Sequence, residues 1–116
     1  MTVHPSGVAA EELAARYLTA RGLRVIARNY RCRFGEIDLI AKDGEALVFV
    51  EVRLRRSDRF GGALASITRT KQQRLIATAR FYLSGLRDAP SCRFDAILLD
   101  ALDAQRIEWL RDVIAE

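Results

Sequence analysis

The chain predicts an α/β fold, one domain over residues 1–116 with a mixed β-sheet flanked by helices. Apolar residues recur at helical spacing near the N-terminus, three strand-like segments follow, and a second amphipathic helix leads into one more strand. The order is therefore αβββαβ. A strand-helix-strand crossover after a meander calls for a parallel pairing beside antiparallel ones. With 116 residues, such a domain buries about two-thirds of its unfolded surface.

The first helix runs from Val8 to Arg21, with Ser6 as N-cap and Gly22 as its stop. Glu11 shares a face with Ala14, Ala15 and Leu18 and leans toward the core, whereas Glu12 aligns with Arg16 as an exposed pair. Leu23 to Tyr30 reads as a first strand, and Arg31 and Arg33 as a basic loop. Gly35 to Ala41 and Leu47 to Arg53 are strands two and three, joined by the Lys42-Asp43-Gly44-Glu45 turn. Leu54 to Gly62 reads as an arginine-rich loop in which Phe60 is either a stacking platform for an unpaired base or a packing anchor. The second helix starts near Ser66 or Thr70, with Thr70 and Gln73 as a capping box, and ends at Leu83 before Gly85. Leu75, Ile76, Ala79, Tyr82, Leu83 and Leu86 form its buried stripe. Cys92 to Leu99 is a fourth strand, and Arg106 to Leu110 an optional fifth with Trp109 as core.

Half the residues are hydrophobic and 29% are charged, for a net charge of +4, the composition of a globular domain rather than a disordered one. The basic residues cluster. Arg53, Arg55, Arg56 and Arg59 fall close together and Arg69, Lys71, Arg74 and Arg80 follow, which suits a polyanionic partner. The first residues show neither the charged nor the apolar region of a signal peptide, and no apolar run is long enough to span a bilayer. The expectation is a cytoplasmic protein with no membrane partner. Cys32 and Cys92 lack metal-ligand spacing and read as free thiols. The single histidine, His4, argues against histidine-based catalysis and zinc.

The acidic hairpin carries the chemistry. Glu36, Asp38 and Glu51 interrupt runs that otherwise read as core, where an ionised carboxylate without a partner is costly. A Gly44-Glu45 loop sets Asp38 opposite Glu51 and Glu36 opposite Arg53. An Asp43-Gly44 loop, the stronger type I′ signal, sets Glu36 opposite Glu51 with Asp38 on the diagonal. Either register puts all four side chains on one face. Two ionised carboxylates about 5 Å apart repel by roughly 3 kcal/mol at an effective dielectric of about 20. A shared proton, a nearby cation or a bound metal must relieve that. All-oxygen ligation favours Mg²⁺ or Mn²⁺. The alternative is a network of arginine salt bridges with no metal.

At these residues the chain resembles the PD-(D/E)XK nuclease superfamily, and more closely its YraN-like branch of small predicted endonucleases, which is similar to Holliday-junction resolvases. The likeness is carried by Glu11 with Leu13-Ala14-Ala15 and Tyr17-Leu18, then Gly22 and Asn29-Tyr30. It continues through Gly35-Glu36-Ile37-Asp38-Leu39-Ile40, Val48-Phe49-Val50-Glu51-Val52-Arg53, Gly61, Lys71 and Arg93-Phe94-Asp95. It implies a restriction-endonuclease-like domain with Asp38 and Glu51 as metal ligands and Glu11 in support. Arg53 stands where lysine is usual. Arginine cannot act as a base but can hold a phosphate through bidentate hydrogen bonds. The resemblance also implies a homodimer.

Three functions follow. One is a metal-dependent endonuclease on branched or structured DNA, with Arg55, Arg56, Arg59, Lys71 and Arg74 gripping the backbone. Another is a DNA-binding module that kept the fold and lost efficient cleavage. The third is a partner-docking protein in which the acids only balance arginines.

Overall fold

A computed structural model describes residues 8–55, 67–88, 90–100 and 106–114. The Ser6 cap, His4, Arg56, Arg59, Phe60, Gly61 and Gly62 lie outside the described residues. Its elements are α1 (Val8–Ala20), β1 (Arg24–Cys32), β2 (Gly35–Asp43), β3 (Ala46–Arg55), α2 (Arg69–Ser84), β4 (Cys92–Asp100) and β5 (Ile107–Leu110). The strands form one sheet in chain order, antiparallel except for β3 beside β4. This is the mixed sheet expected, with the fifth strand present.

The sheet is covered on both faces. Ala10, Ala14, Ala15 and Leu18 of α1 pack with Leu39, Ala41, Val48, Val50, Ile97 and Leu99. Leu75 and Ala79 of α2 pack on the other face with Ile37, Ile40, Leu47, Phe49, Phe94, Ala96 and Leu98. β3, paired on both sides, therefore carries the unbroken buried run Leu47–Val50. Each fully buried large aliphatic or aromatic side chain contributes about 1.5–3 kcal/mol over its exposed state. The edge strand β1 instead exposes Arg24, Arg28 and Arg31, charges that discourage pairing with another chain.

Several details differ from the sequence reading. β1 continues through Cys32, so Arg31 is a strand residue paired with Glu36, and only Arg33 and Phe34 form the turn. β3 continues through Arg55, so Leu54 and Arg55 belong to a strand rather than a loop. Thr68 caps α2, its hydroxyl accepting from Lys71 N–H at 3.2 Å, in place of the expected Thr70 box. Trp109 is half-buried rather than core, held by a hydrogen bond at 2.9 Å from its indole N–H to Asp95 Oδ2. Cys32 and Cys92 are free thiols, as expected.

Candidate active site

Of the two hairpin registers, the structure adopts the Gly44-Glu45 loop. Asp43 pairs with Ala46 and the ladder runs on to Leu39 opposite Val50. Gly44 has φ +62° while Glu45 does not enter the left-handed region, the type II′ pattern with glycine first, which suits the strand twist. The ladder ends just before Asp38 and Glu51. Instead of a backbone partner, the Val52 N–H donates to Asp38 Oδ2 at 2.8 Å.

The cause lies on the neighbouring strand. Arg28 pairs with Leu39 and Tyr30 with Ile37, leaving Asn29 and Asp38 between them. Asn29 has φ +52°, a conformation asparagine tolerates better than most residues. Strand alternation slips there. Arg28 and Asn29 are both exposed, and Ile37 and Ile40, three apart, pack into the same core cluster. Strict period two would put those isoleucines on opposite faces. The slip brings Asp38 beside Val52 of β3, so the shared face predicted from alternation arises by a different route.

A cleft of about 540 Å³ collects the pieces. Glu11 of α1, Gly35, Glu36 and Asp38 of β2, Glu51 and Arg53 of β3, and Lys71 and Arg74 of α2 are among the residues lining it. Glu51 is buried at 6% exposure. Lys71 Nζ lies 2.8 Å from Glu51 Oε2. The angles are not those of a hydrogen bond, so this buried oxygen has a compensating charge but no donor aimed at it. Burial pushes the Asp38 carboxyl up to about 9, reinforced by its hydrogen bond to Glu51, by the Glu51 charge and by Glu11, and opposed by the Val52 N–H. Burial and the neighbouring Glu51 carboxylate both disfavour the charged form of Asp38.

Glu36 does not face Arg53 across a ladder. It accepts from Arg31 Nε at 2.6 Å on the β1 side. Arg55 closes β3, its backbone opposite Asp100. The backbone N–H of Val52 and the cap Thr68 were not anticipated as part of the site. The Val52 N–H carries no side-chain signal, and Thr68 is recognisable only once the start of α2 is fixed.

Residues 10–99 match the model of a protein family described as uncharacterised protein family UPF0102. The chain belongs to the UPF0102 family. A UPF0102 protein of Methylobacillus flagellatus is 59% identical over 106 residues, which cover 91% of this chain and 93% of that one. One from Nitrosomonas europaea is 54% identical over 110 residues, covering 95% and 93% respectively. Glu11, Asp38, Glu51, Arg53, Lys71 and Arg74 all fall inside the span that defines the UPF0102 match.

The donors of this UPF0102 cleft fit a hard divalent ion. Asp38 and Glu51 offer oxygen only, lie side by side, and include the buried acceptor Glu51 Oε2 with no donor aimed at it. Among the described residues no group of three or more Asp, Glu, His or Cys forms a metal cage. Two carboxylates with water completing the shell is the way Mg²⁺ is usually held, unlike the fuller cages of Ca²⁺ or Zn²⁺. Among the described residues no helix is long and apolar enough to cross a membrane.

Proposed function

We propose that the chain is a metal-dependent endonuclease that hydrolyses phosphodiester bonds in branched or structured DNA. The observation that supports this best is the meeting of Asp38 and Glu51, from strands whose ladder has just ended, in one open cleft with Arg53, Lys71 and Arg74. The resemblance to PD-(D/E)XK nucleases points the same way. Asp38 and Glu51 would hold Mg²⁺ or Mn²⁺, which when bound supplies a Lewis acid and lowers the pKa of water. Arg53 and Arg74 orient the scissile phosphate through guanidinium donors. Arg53 stays protonated and so donates rather than abstracts a proton. Glu11 adds negative charge at the rim, which favours a cation in the cleft. Arg55, Arg56 and Arg59 grip flanking phosphates, an affinity that falls steeply with salt. Two such chains forming a homodimer would place two cuts across a junction.

A binding module without cleavage is the second reading, favoured by one contact. Lys71 already sits on Glu51, so the acids have a cation without any metal.

Thermal unfolding with Mn²⁺ and then Mg²⁺ separates the two. Binding to the folded state raises the melting temperature by mass action. The endonuclease reading expects a rise at millimolar ion that disappears in Asp38→Asn plus Glu51→Gln, together with metal-dependent cleavage of junction or flap DNA. No metal-dependent shift in the wild type would sink it in favour of the binding module.

A further inference from the structure

We infer that the Arg33-Phe34 turn and Phe81 of α2 form a stacking site for an unpaired nucleobase, set along α2 from the acid cleft. The inference rests on the nucleic-acid reading above and names the feature of the substrate that the protein recognises. Phe34 is 39% and Phe81 44% exposed, and their rings stand 5.9 Å apart, tilted. The Arg33 guanidinium lies 4.9 Å over the Phe34 ring. Two exposed aromatic rings held together on a surface rich in arginine suit a partner with both a flat apolar face and negative charge. A base on its sugar-phosphate strand has both.

Position ties the platform to the cleft. Lys71, Arg74, Thr78 and Phe81 follow one another on one face of α2 at helical steps of three and four. Lys71 and Arg74 line the cleft. Thr78 is fully buried because the turn lies on it. A Cβ at Gly35 would come 3.1 Å from Thr78 Oγ1 and 3.6 Å from Arg74 Cβ, and Gly35 has φ +152°. Only glycine lets the turn sit that close, and the close seat puts Phe34 beside Phe81. From Lys71 to Phe81 the helix rises about 15 Å, roughly four stacked-base rises of 3.4 Å. A strand with its phosphate at Arg74 thus reaches the rings within a few nucleotides. Glu36, which lines the same cleft, is neutralised by Arg31 at 2.6 Å.

A duplex hides its base faces, so the platform selects substrates with an unpaired base near the cut, such as a flap, a gap or an open junction. The test is binding in EDTA, where no cleavage occurs. The probes are a ten-nucleotide oligothymidylate, a blunt duplex of equal length, and a single strand carrying 2-aminopurine. Wild type, Phe34→Ala and Phe34→Trp are compared at fixed salt, with circular dichroism confirming that the variants fold. We expect the wild type to quench 2-aminopurine and to bind the single strand better than the duplex. Phe34→Ala should weaken single-strand binding about tenfold and leave duplex binding within about twofold. Phe34→Trp should restore it. Equal loss on single strand and duplex, no loss on either, or no single-strand preference in the wild type overturns the stacking site. Phe34-dependent binding with no metal response would leave the platform standing and remove the nuclease. Metal-dependent cleavage indifferent to Phe34→Ala would do the reverse.

Discussion

Two acidic centres lie on adjacent strands, and they are built oppositely. Asp95 of β4 is 1% exposed. Arg93 Nε donates to both of its oxygens at 3.1 and 3.2 Å, Trp109 Nε1 to Oδ2 at 2.9 Å, and the Asp112 backbone N–H to Oδ1 at 2.9 Å. Beside Val50, one position before Glu51, it is a carboxylate with every lone pair used. Asp38 takes one backbone N–H and its neighbour is another acid. Burial alone therefore does not mark a functional acid. The supply of donors does, because a fully bonded carboxylate is structural and an underbonded pair stores affinity for a cation.

Removing each centre should move stability in opposite directions. Asp95→Ala orphans the indole and a backbone N–H in the interior and leaves Arg93 with Asp43 alone, so it should destabilise by about 3–5 kcal/mol, read by thermal or denaturant unfolding with or without Mn²⁺. A loss below about 1 kcal/mol would mean that Asp95 is no anchor and would break the contrast.

The acid pair gives a pH signature next in size. Asp38 is raised in the folded state from its ordinary 3.8 to about 9, so the native state holds a proton that the unfolded chain releases. The stabilisation is full below pH 3.8 and is lost as pH rises from there to about 9, at most about 1.4 kcal/mol per pH unit. Metal-free wild type should thus lose stability toward alkaline pH, while Asp38→Asn should be flatter and more stable than wild type at pH 8. A parallel pH profile in the variant would assign the titration elsewhere. Because the ion competes with that proton, Mn²⁺ affinity should increase with pH over the same window.

The smallest effect tests how Asp38 is placed. Asn29→Val should cost about 1–2 kcal/mol by forcing a β-branched residue into a left-handed backbone, whereas Asn29→Gly should be nearly neutral. The telling readout is the metal response. Valine should weaken the Mn²⁺-induced rise in melting temperature and glycine should keep it, and an unchanged rise in both would show that the kink does not position the acid.

Much of this was legible in the chain. The helix and strand order, the hairpin and the acids that converge follow from local pattern. The convergence of Asp38 and Glu51 was read from strict alternation, yet it depends on an alternation slip at Asn29 that period-two reasoning has no term for. Lys71 was legible as basic but not as the partner of Glu51, twenty residues away, since that contact exists only once α2 lies across the sheet. The Thr68 cap was missed because Thr70 and Gln73 imitate its spacing.

The indole that steadies Asp95 also gives the molecule an optical reporter. Trp109 is the sole tryptophan, wedged between Asp95 and the Arg111 guanidinium, 4.1 Å above its ring. It sits on β5, separated by β4 from the strand that carries Glu51. Its emission should shift when the sheet comes apart at that edge and stay silent when a ligand enters the cleft. One chromophore can thereby tell loss of the fold from occupancy of the site in the same cuvette.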